Sequence, residues 1–563
     1  MTVLPDSIAA FVALTELDLS MASKLRWLPS TIGNLSALTV LNLCSCSELR
    51  SLPDSVGDLS ALTALSIGSC HGLTSSPDSI CDLAQLTSLN LGDTHFKALP
   101  DCFGGLAALT ELDIGGALLR SLPESIGNLA RLQILDARST IFLDQLPKRF
   151  GELAALTRLE LCCSFFTSLP DCIVRLTALQ TLRLYNVPCA SLPDSICDLA
   201  ALTTLRLDAS KTLTTLPVTF GQLHALGQLD LSDCTSLTLL PDGISDLAAL
   251  TVLNLSFCAQ LTGLPDMCGK VAAALTELTL RGCQRLSHLP DGLNSLTKLQ
   301  TLTLRDCRAL TCLPDSIDAL AALTALDMEG SEQLQRLPDT IGQLAALTSL
   351  NISGCARLAH LPDAVGTLQA LKCLHAGNCR ALTRLPDSIA SLTALTSLNL
   401  RSFEQLATLP DAVGSLVSLT SLDVSACRRL TSLPDTIGAL SALLQLDISW
   451  CERLVSLPDA IGGLTALEEL DATGCKQLAR LPDTLCDLGA LTFLDLSHCE
   501  RLTALPDTQG KLQLLLRRFA VGPWRVTPRP GWERGRAGNG NSLHIEVWPG
   551  TPMAARRLFR SYP

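Results

Sequence analysis

The chain has 563 residues, a formal net charge of −12, 47% hydrophobic residues and only 4% aromatics, enough for a large core built in layers from Leu, Ala, Ile and Val. No stretch supplies the roughly 18 apolar residues of a membrane span, and Met1 to Ala10 lacks the basic-then-apolar order of an export signal. Membrane insertion and secretion are thereby disfavoured, a cytoplasmic or nuclear setting is expected, and the 24 cysteines are expected to be reduced thiols, not a disulfide framework. Sequons at Asn34, Asn254 and Asn351 are read as chance, because two of them fall within expected strands.

From the first residues onward one unit recurs. Leu-Pro or its equivalent stands at Pro5, Pro29, Pro53, Pro77, Pro100, Pro123 and on to Pro506, taking 22 of the 29 prolines at intervals of 23 to 25 residues. Repetition at this period overrides the several domains that length alone suggests. The stretch from Leu38 to Ala61 displays the unit, L-x-x-L-x-L-x-x-C-x-x-L-x-x-L-P-D-S-V-G-x-L-x-x, and 21 such units run from Leu14 to near Leu505. Leu41 and Leu43, two apart, lie on one face of a short strand, while Val40, Asn42 and Cys44 point to the other. So short a strand buries its apolar side only by stacking on its neighbours in a parallel sheet.

Each Leu-Pro opens a connector. Asp follows in 18 of the 22 cases; Pro suits the first position of a short helix or 3-10 turn, Asp favours its positive end, and Gly is expected to permit a left-handed exit. This one connector position holds 19 of the 54 acids, the 18 Asp and Glu124, so a large share of the acidity is read as a solvated convex charge. Residues 1–510 form the repeat body, with 32 basic against 52 acidic side chains; residues 511–563 carry 10 basic and 2 acidic ones. That second segment is expected to begin with the remnant of a cap, Leu512 to Phe519, and to continue as a disordered basic Pro- and Gly-rich tail.

Between Pro77 and Pro193 the repeat becomes irregular, with all four 23-residue units. Nearby outward positions become Arg138, Arg158, Arg183, Tyr185 and Arg206. Arg and Tyr are favoured interface anchors, which makes these five candidate partner-binding residues, against the plainer alternative of sequence drift with solvated charges. Arg281 and Arg305 form a smaller basic pair. Glu160, Asp208 and Asp230 interrupt any basic track, so a protein partner is expected and nucleic acid is not. Further on, Asp423, Asp447, Asp471 and Asp495 occupy the same outward column. Like charges on adjacent strands repel, so no stabilising role is expected of them; they either meet a basic partner or reflect duplication of a repeat.

The unit resembles the leucine-rich-repeat superfamily over roughly residues 1–510, specifically the plant-type intracellular repeats of Ras-group proteins and nucleotide-binding disease-resistance proteins. The variants L-N-L-C-S-C-S-E-L and L-D-I-S-W-C-E-R-L are most similar to resistance-protein repeats. The resemblance implies an α/β solenoid, a right-handed horseshoe of about 21 repeats with a parallel β-sheet on its concave face and short helices or 3-10 turns on its convex face. It also implies a non-catalytic module that holds a macromolecule on the concave face in signalling or defence, with no cofactor, metal, membrane or small-molecule substrate. No G-x-x-x-x-G-K-[ST] phosphate loop is present, so a complete nucleotide-driven switch is not expected, whereas the recognition part of one is. Alternatives are a horseshoe that inhibits a basic enzyme and, less favoured, a ubiquitin-ligase-type effector, since residues 511–563 contain no Cys.

Cysteine fills the position after the strand in 12 of 21 repeats, Cys234, Cys258, Cys427 and Cys451 among them. The resemblance implies that its side chain satisfies loop backbone groups between neighbouring turns. A one-dimensional ladder does not supply four tetrahedral ligands, so metal binding is not expected. Cys44 with Cys46, and Cys162 with Cys163, are each read as one thiol inside and one outside and are not expected to be dithiols. Cys373 and His375 read as a surface pair.

Overall fold

The computed structural model describes residues 2–162, 166, 168–267 and 269–503. The expected cap and tail, and Cys163, lie outside the described residues. Two compact units divide the chain, Met1–Leu286 with Pro290–Lys298, and Ser287–Leu289 with Leu299 onward. The first holds twelve strands, from Glu16–Asp18 to Glu277–Thr279, and the second nine, from Thr301–Thr303 to Phe493–Asp495. Within each unit the strands pair in parallel one repeat apart, as in Leu17↔Leu41 and Leu422↔Leu446. The expected leucine-rich-repeat solenoid of short strands and 3-10 connectors is therefore present.

Packing explains the pattern of leucines. Leu41 and Leu43 are fully buried while Asn42 between them is partly open, and the same pattern recurs in most repeats. After most strands the chain turns through one residue with left-handed backbone, such as Ser45 at φ 61°, whose N–H donates to the Gly68 carbonyl of the next repeat at 2.8 Å. Each connector begins as expected. Pro53 has φ −71° and ψ 153°, its carbonyl accepts from the Val56 N–H at 3.0 Å, and the five-residue 3-10 helix Asp54–Asp58 buries Val56. Asp54, in the first turn, stays exposed.

Two expectations are corrected here. Connector glycines do not supply a left-handed exit; the left-handed glycines are Gly116, Gly282, Gly330, Gly354 and Gly474, all at the turn after the strand. Gly57 is needed for room instead, because a Cβ there would come within 2.4 Å of the Ser79 carbonyl oxygen in the next connector. Nor are all thiols reduced. Cys81 and Cys102 are joined by a disulfide, because stacking of successive connectors brings their Cα atoms to 5.9 Å.

The buried cysteines carry the repeat-to-repeat bond. Cys70 donates to the Leu43 carbonyl at 3.1 Å, Cys234 to Leu207 at 3.3 Å and Cys451 to Val424 at 3.2 Å. In each case the acceptor is the residue just after the strand of the preceding repeat, and Ser331 does the same for Leu304 at 2.7 Å. Burial pushes the Cys70, Cys234 and Cys427 thiols up to about 12, and Cys451 upward as well, so they stay protonated and able to donate. Replacing Cys451 by Ala leaves the Val424 carbonyl with only the Cys427 N–H at 3.4 Å and is expected to cost about 1 kcal/mol for the lost bond, whereas Cys451→Ser retains the bond and costs clearly less. Urea unfolding midpoints of the two variants check the order.

Candidate functional site: the outward face of the strands

The last residue of most strands is Asn or Asp, and its side chain closes the turn that follows. Asn42 Oδ1 accepts from the Cys44 N–H at 3.1 Å, Asp113 from Gly115 at 2.8 Å, and Asn254 and Asn351 do the same for Ser256 and Ser353. Asp423, Asp447, Asp471 and Asp495 belong to this series. They accept from the N–H groups of Ser425, Ser449, Thr473 and Ser497 at 2.8–2.9 Å. The expectation that these four have no stabilising role is thus corrected, because each satisfies a turn N–H. Their charge is a separate matter, since Asn performs the same task elsewhere. The four stand in register on adjacent strands. Burial pushes Asp447 up to about 6 and raises Asp471, with neighbouring carboxylates adding to both.

The irregular repeats contain the widest part of the strand face. Most strands have three residues, but here they are Ile134–Ala137, Arg158–Cys162 and Thr181–Tyr185. Glu160 sits at the centre with only 3% of its surface exposed. Its carboxylate pairs with Arg158, with Arg138 Nε at 3.2 Å and with Arg183 Nη1 at 4.0 Å. Arg138 also binds Asp136 at 2.7 Å, Arg183 binds Asp208 at 2.8 Å, and Arg206 binds Asp230 at 2.9 Å. Four arginines and four carboxylates therefore balance. Tyr185 ends the strand that carries Arg183 and leaves 45% of its surface open.

The structure thus gathers Arg138, Arg158 and Arg183 around one carboxylate, and Asp208, between Arg183 and Arg206, links Arg206 to them. It places the four later Asp in the other compact unit. Glu160, taken from the sequence as an interruption, is the hub of the cluster. Arg305 is likewise paired, with Glu329 at 2.8 Å, and Arg281 lies over the Phe257 ring.

A groove of about 320 Å³ also opens on this face, lined by Gly68, Gly92, Gly115, Asp113, Asp136 and Arg138, among others. Its floor is glycine at three successive repeats, in the column that holds Ser256, Ser353 and Ser449 elsewhere. At its far end it reaches Arg138 and so runs into the arginine cluster. Three glycines in one column were the sequence signal for this groove. Among the described residues no group of His, Cys, Asp or Glu is arranged to hold a metal ion, and no helix is long and apolar enough to cross a membrane.

A family model described as leucine-rich repeat region matches residues 67–169, 112–191 and 171–279, and one described as disease resistance protein RPS4B-like, leucine-rich repeats, matches 271–438. No curated protein sequence gives a significant match. Among solved structures, the TLR13–ssRNA13 complex aligns with 22% identity, 90% of this chain and 81% of that chain, at a TM-score of 0.51. A leucine-rich-repeat protein of Leptospira interrogans aligns with 23% identity, 91% and 95% coverage, and a TM-score of 0.47. The Arabidopsis receptor kinase HAESA, in complex with the peptide hormone IDA and the co-receptor SERK1, aligns with 21% identity, 86% coverage of each chain, and a TM-score of 0.47. These likenesses concern the fold.

Two predictions follow from the charges. The folded Asp447 carboxyl holds its proton more tightly than the unfolded one at 3.8, so its contribution to stability is full below about pH 4 and is lost as pH rises through about 6. Asp447→Asn keeps the turn bond and removes the charge. It is expected to raise the thermal midpoint at pH 7 and to have little effect at pH 4, as scanning calorimetry at both pH values will show. In the arginine cluster, Arg183→Glu sets a third carboxylate beside Glu160 and Asp208 and is expected to cost about 2–3 kcal/mol, while Tyr185→Ala leaves the unfolding midpoint nearly unchanged.

Proposed function

We propose, from the premise that the chain belongs to the leucine-rich-repeat superfamily with repeats of the plant disease-resistance type, that it is a non-catalytic recognition module working inside the cell in signalling or defence. A protein partner lies along the strand face of the first unit. It places a side chain in the groove between Gly68 and Arg138 and rests on Tyr185 and the arginines Arg138, Arg158, Arg183 and Arg206. The observation that carries this reading is the continuity of a glycine-floored groove with a balanced ion-pair cluster and an open tyrosine. Arginines already neutralised by carboxylates favour a surface of mixed polarity over the phosphate backbone of the RNA named for the TLR13 complex.

Charge reversal of the arginines is a poor test, because it breaks the cluster itself. Filling the groove is cleaner. The combined variant Gly92→Thr, Gly115→Thr and Tyr185→Ala puts at the two glycines a residue that the same column holds at Thr473. It is expected to weaken capture of the partner from source-cell lysate at least about tenfold, roughly 1.4 kcal/mol, with an unchanged unfolding midpoint. Recovery of the same proteins in the same yield by both chains would rule out this surface.

A further inference from the structure

The outward face of the last strands differs from that of the arginine cluster in one respect. On Ser421–Asp423, Gln445–Asp447, Glu469–Asp471 and Phe493–Asp495 the outward positions carry five carboxylates, Asp423, Asp447, Glu469, Asp471 and Asp495, and no Lys or Arg. In the earlier repeats Asp136, Glu160, Asp208 and Asp230 each meet an arginine of the face. Here the groups acting on Asp447 and Asp471 are hydroxyls, turn N–H groups and other carboxylates, with no cation among them. The turn bond does not require charge, as Asn254, Asn351 and Asn399 show, so four successive acids are retained against their mutual repulsion.

An aromatic platform adjoins them. Trp450 has left-handed backbone at φ 58°, a costly conformation for a bulky residue, and its ring is stacked with His498 at 6.2 Å, over Gly474, where a Cβ would come within 2.7 Å of the ring. Nearly half of Trp450 remains exposed. Carboxylates beside an open indole face make a surface for guanidinium groups, which pair with the acids and stack on the ring.

The chain supplies such groups itself. Between Lys511 and Arg536 it carries seven basic residues, Lys511, Arg517, Arg518, Arg525, Arg529, Arg534 and Arg536, against Glu533 alone. The segment starts only 16 residues after Asp495. Crossing from the Asp495 strand to the Asp423 strand takes three strand spacings, about 15 Å, which about five extended residues cover. So short a tether holds the segment near the face at an effective concentration on the order of millimolar. We propose that the acidic strand face from Asp423 to Asp495, with Trp450 at its rim, is the docking site of the chain's own arginine-rich segment, residues 511–536.

Carboxyl labelling of the full chain, read residue by residue by mass spectrometry, tests this. In the intact chain Asp447, Asp471 and Asp495 are expected to be protected. Their labelling should rise several-fold in about 1 M salt, where the Debye length is about 3 Å. It should rise equally in a full-length variant with Arg517, Arg518, Arg525, Arg529, Arg534 and Arg536 all changed to Gln. The exposed connector carboxylate of Asp363 should label alike throughout as a control for the reagent, and an unchanged circular dichroism spectrum reports that the repeats remain folded. A synthetic peptide of residues 511–536, added to the Gln variant, should restore protection. Equal labelling of the face in both chains overturns the proposal, and so does protection that disappears on dilution, which assigns the contact to a second copy.

Discussion

Just after each strand the chain turns away from the sheet, and the carbonyl there points inward, where the N–H three residues on reaches it only at 3.2–3.4 Å for Leu43, Leu207 and Val424. The next repeat brings a second donor. A buried thiol does so for Leu43, Leu207 and Val424, and a hydroxyl for Leu304. Every other periodic feature is consistent with that bond. The leucine columns bring the repeats into register, the left-handed residue after the strand aims its N–H forward, and the connector glycine lets the next connector approach closely. Because the acceptor of each of these thiol bonds belongs to the previous repeat, such a repeat is not complete alone, and stability is a property of neighbours.

The same logic separates structure from function on the outward face. A strand ends in Asn or Asp because a side-chain oxygen must meet the N–H two residues on, and this task is indifferent to charge. Charge then becomes a free choice at each repeat. In the arginine cluster the carboxylates pair with Arg138, Arg158, Arg183 and Arg206, so that four positive and four negative groups balance. From Asp423 to Asp495 they meet no basic residue of the face, and burial keeps Asp447 close to titration near neutral pH.

The fold was legible in the sequence because repetition multiplies weak signals. Pro53, Val56 and Leu41 mean little singly, but the same columns in 21 units leave one architecture. The cysteine ladder was legible for the same reason. What escaped were contacts between repeats. Cys81 and Cys102 differ in their offset from their prolines, so nothing in the unit aligns them until the connectors stack. Glu160 looks like an interruption in a list of arginines and becomes their centre only when three strands lie side by side. The connector glycine was misassigned because sequence shows that Gly is required without showing whether torsion or space requires it.

The close approach at Gly57 has a geometric consequence. On the strand side, neighbouring repeats are held at the spacing of a backbone hydrogen bond, which varies little. On the connector side their separation is set by how near Gly57 comes to the Ser79 carbonyl, a contact with no room for even a methyl group. A side chain there acts as a wedge at the outer rim of two hinged plates, so the angle between adjacent repeats is written in which connectors carry glycine and which do not.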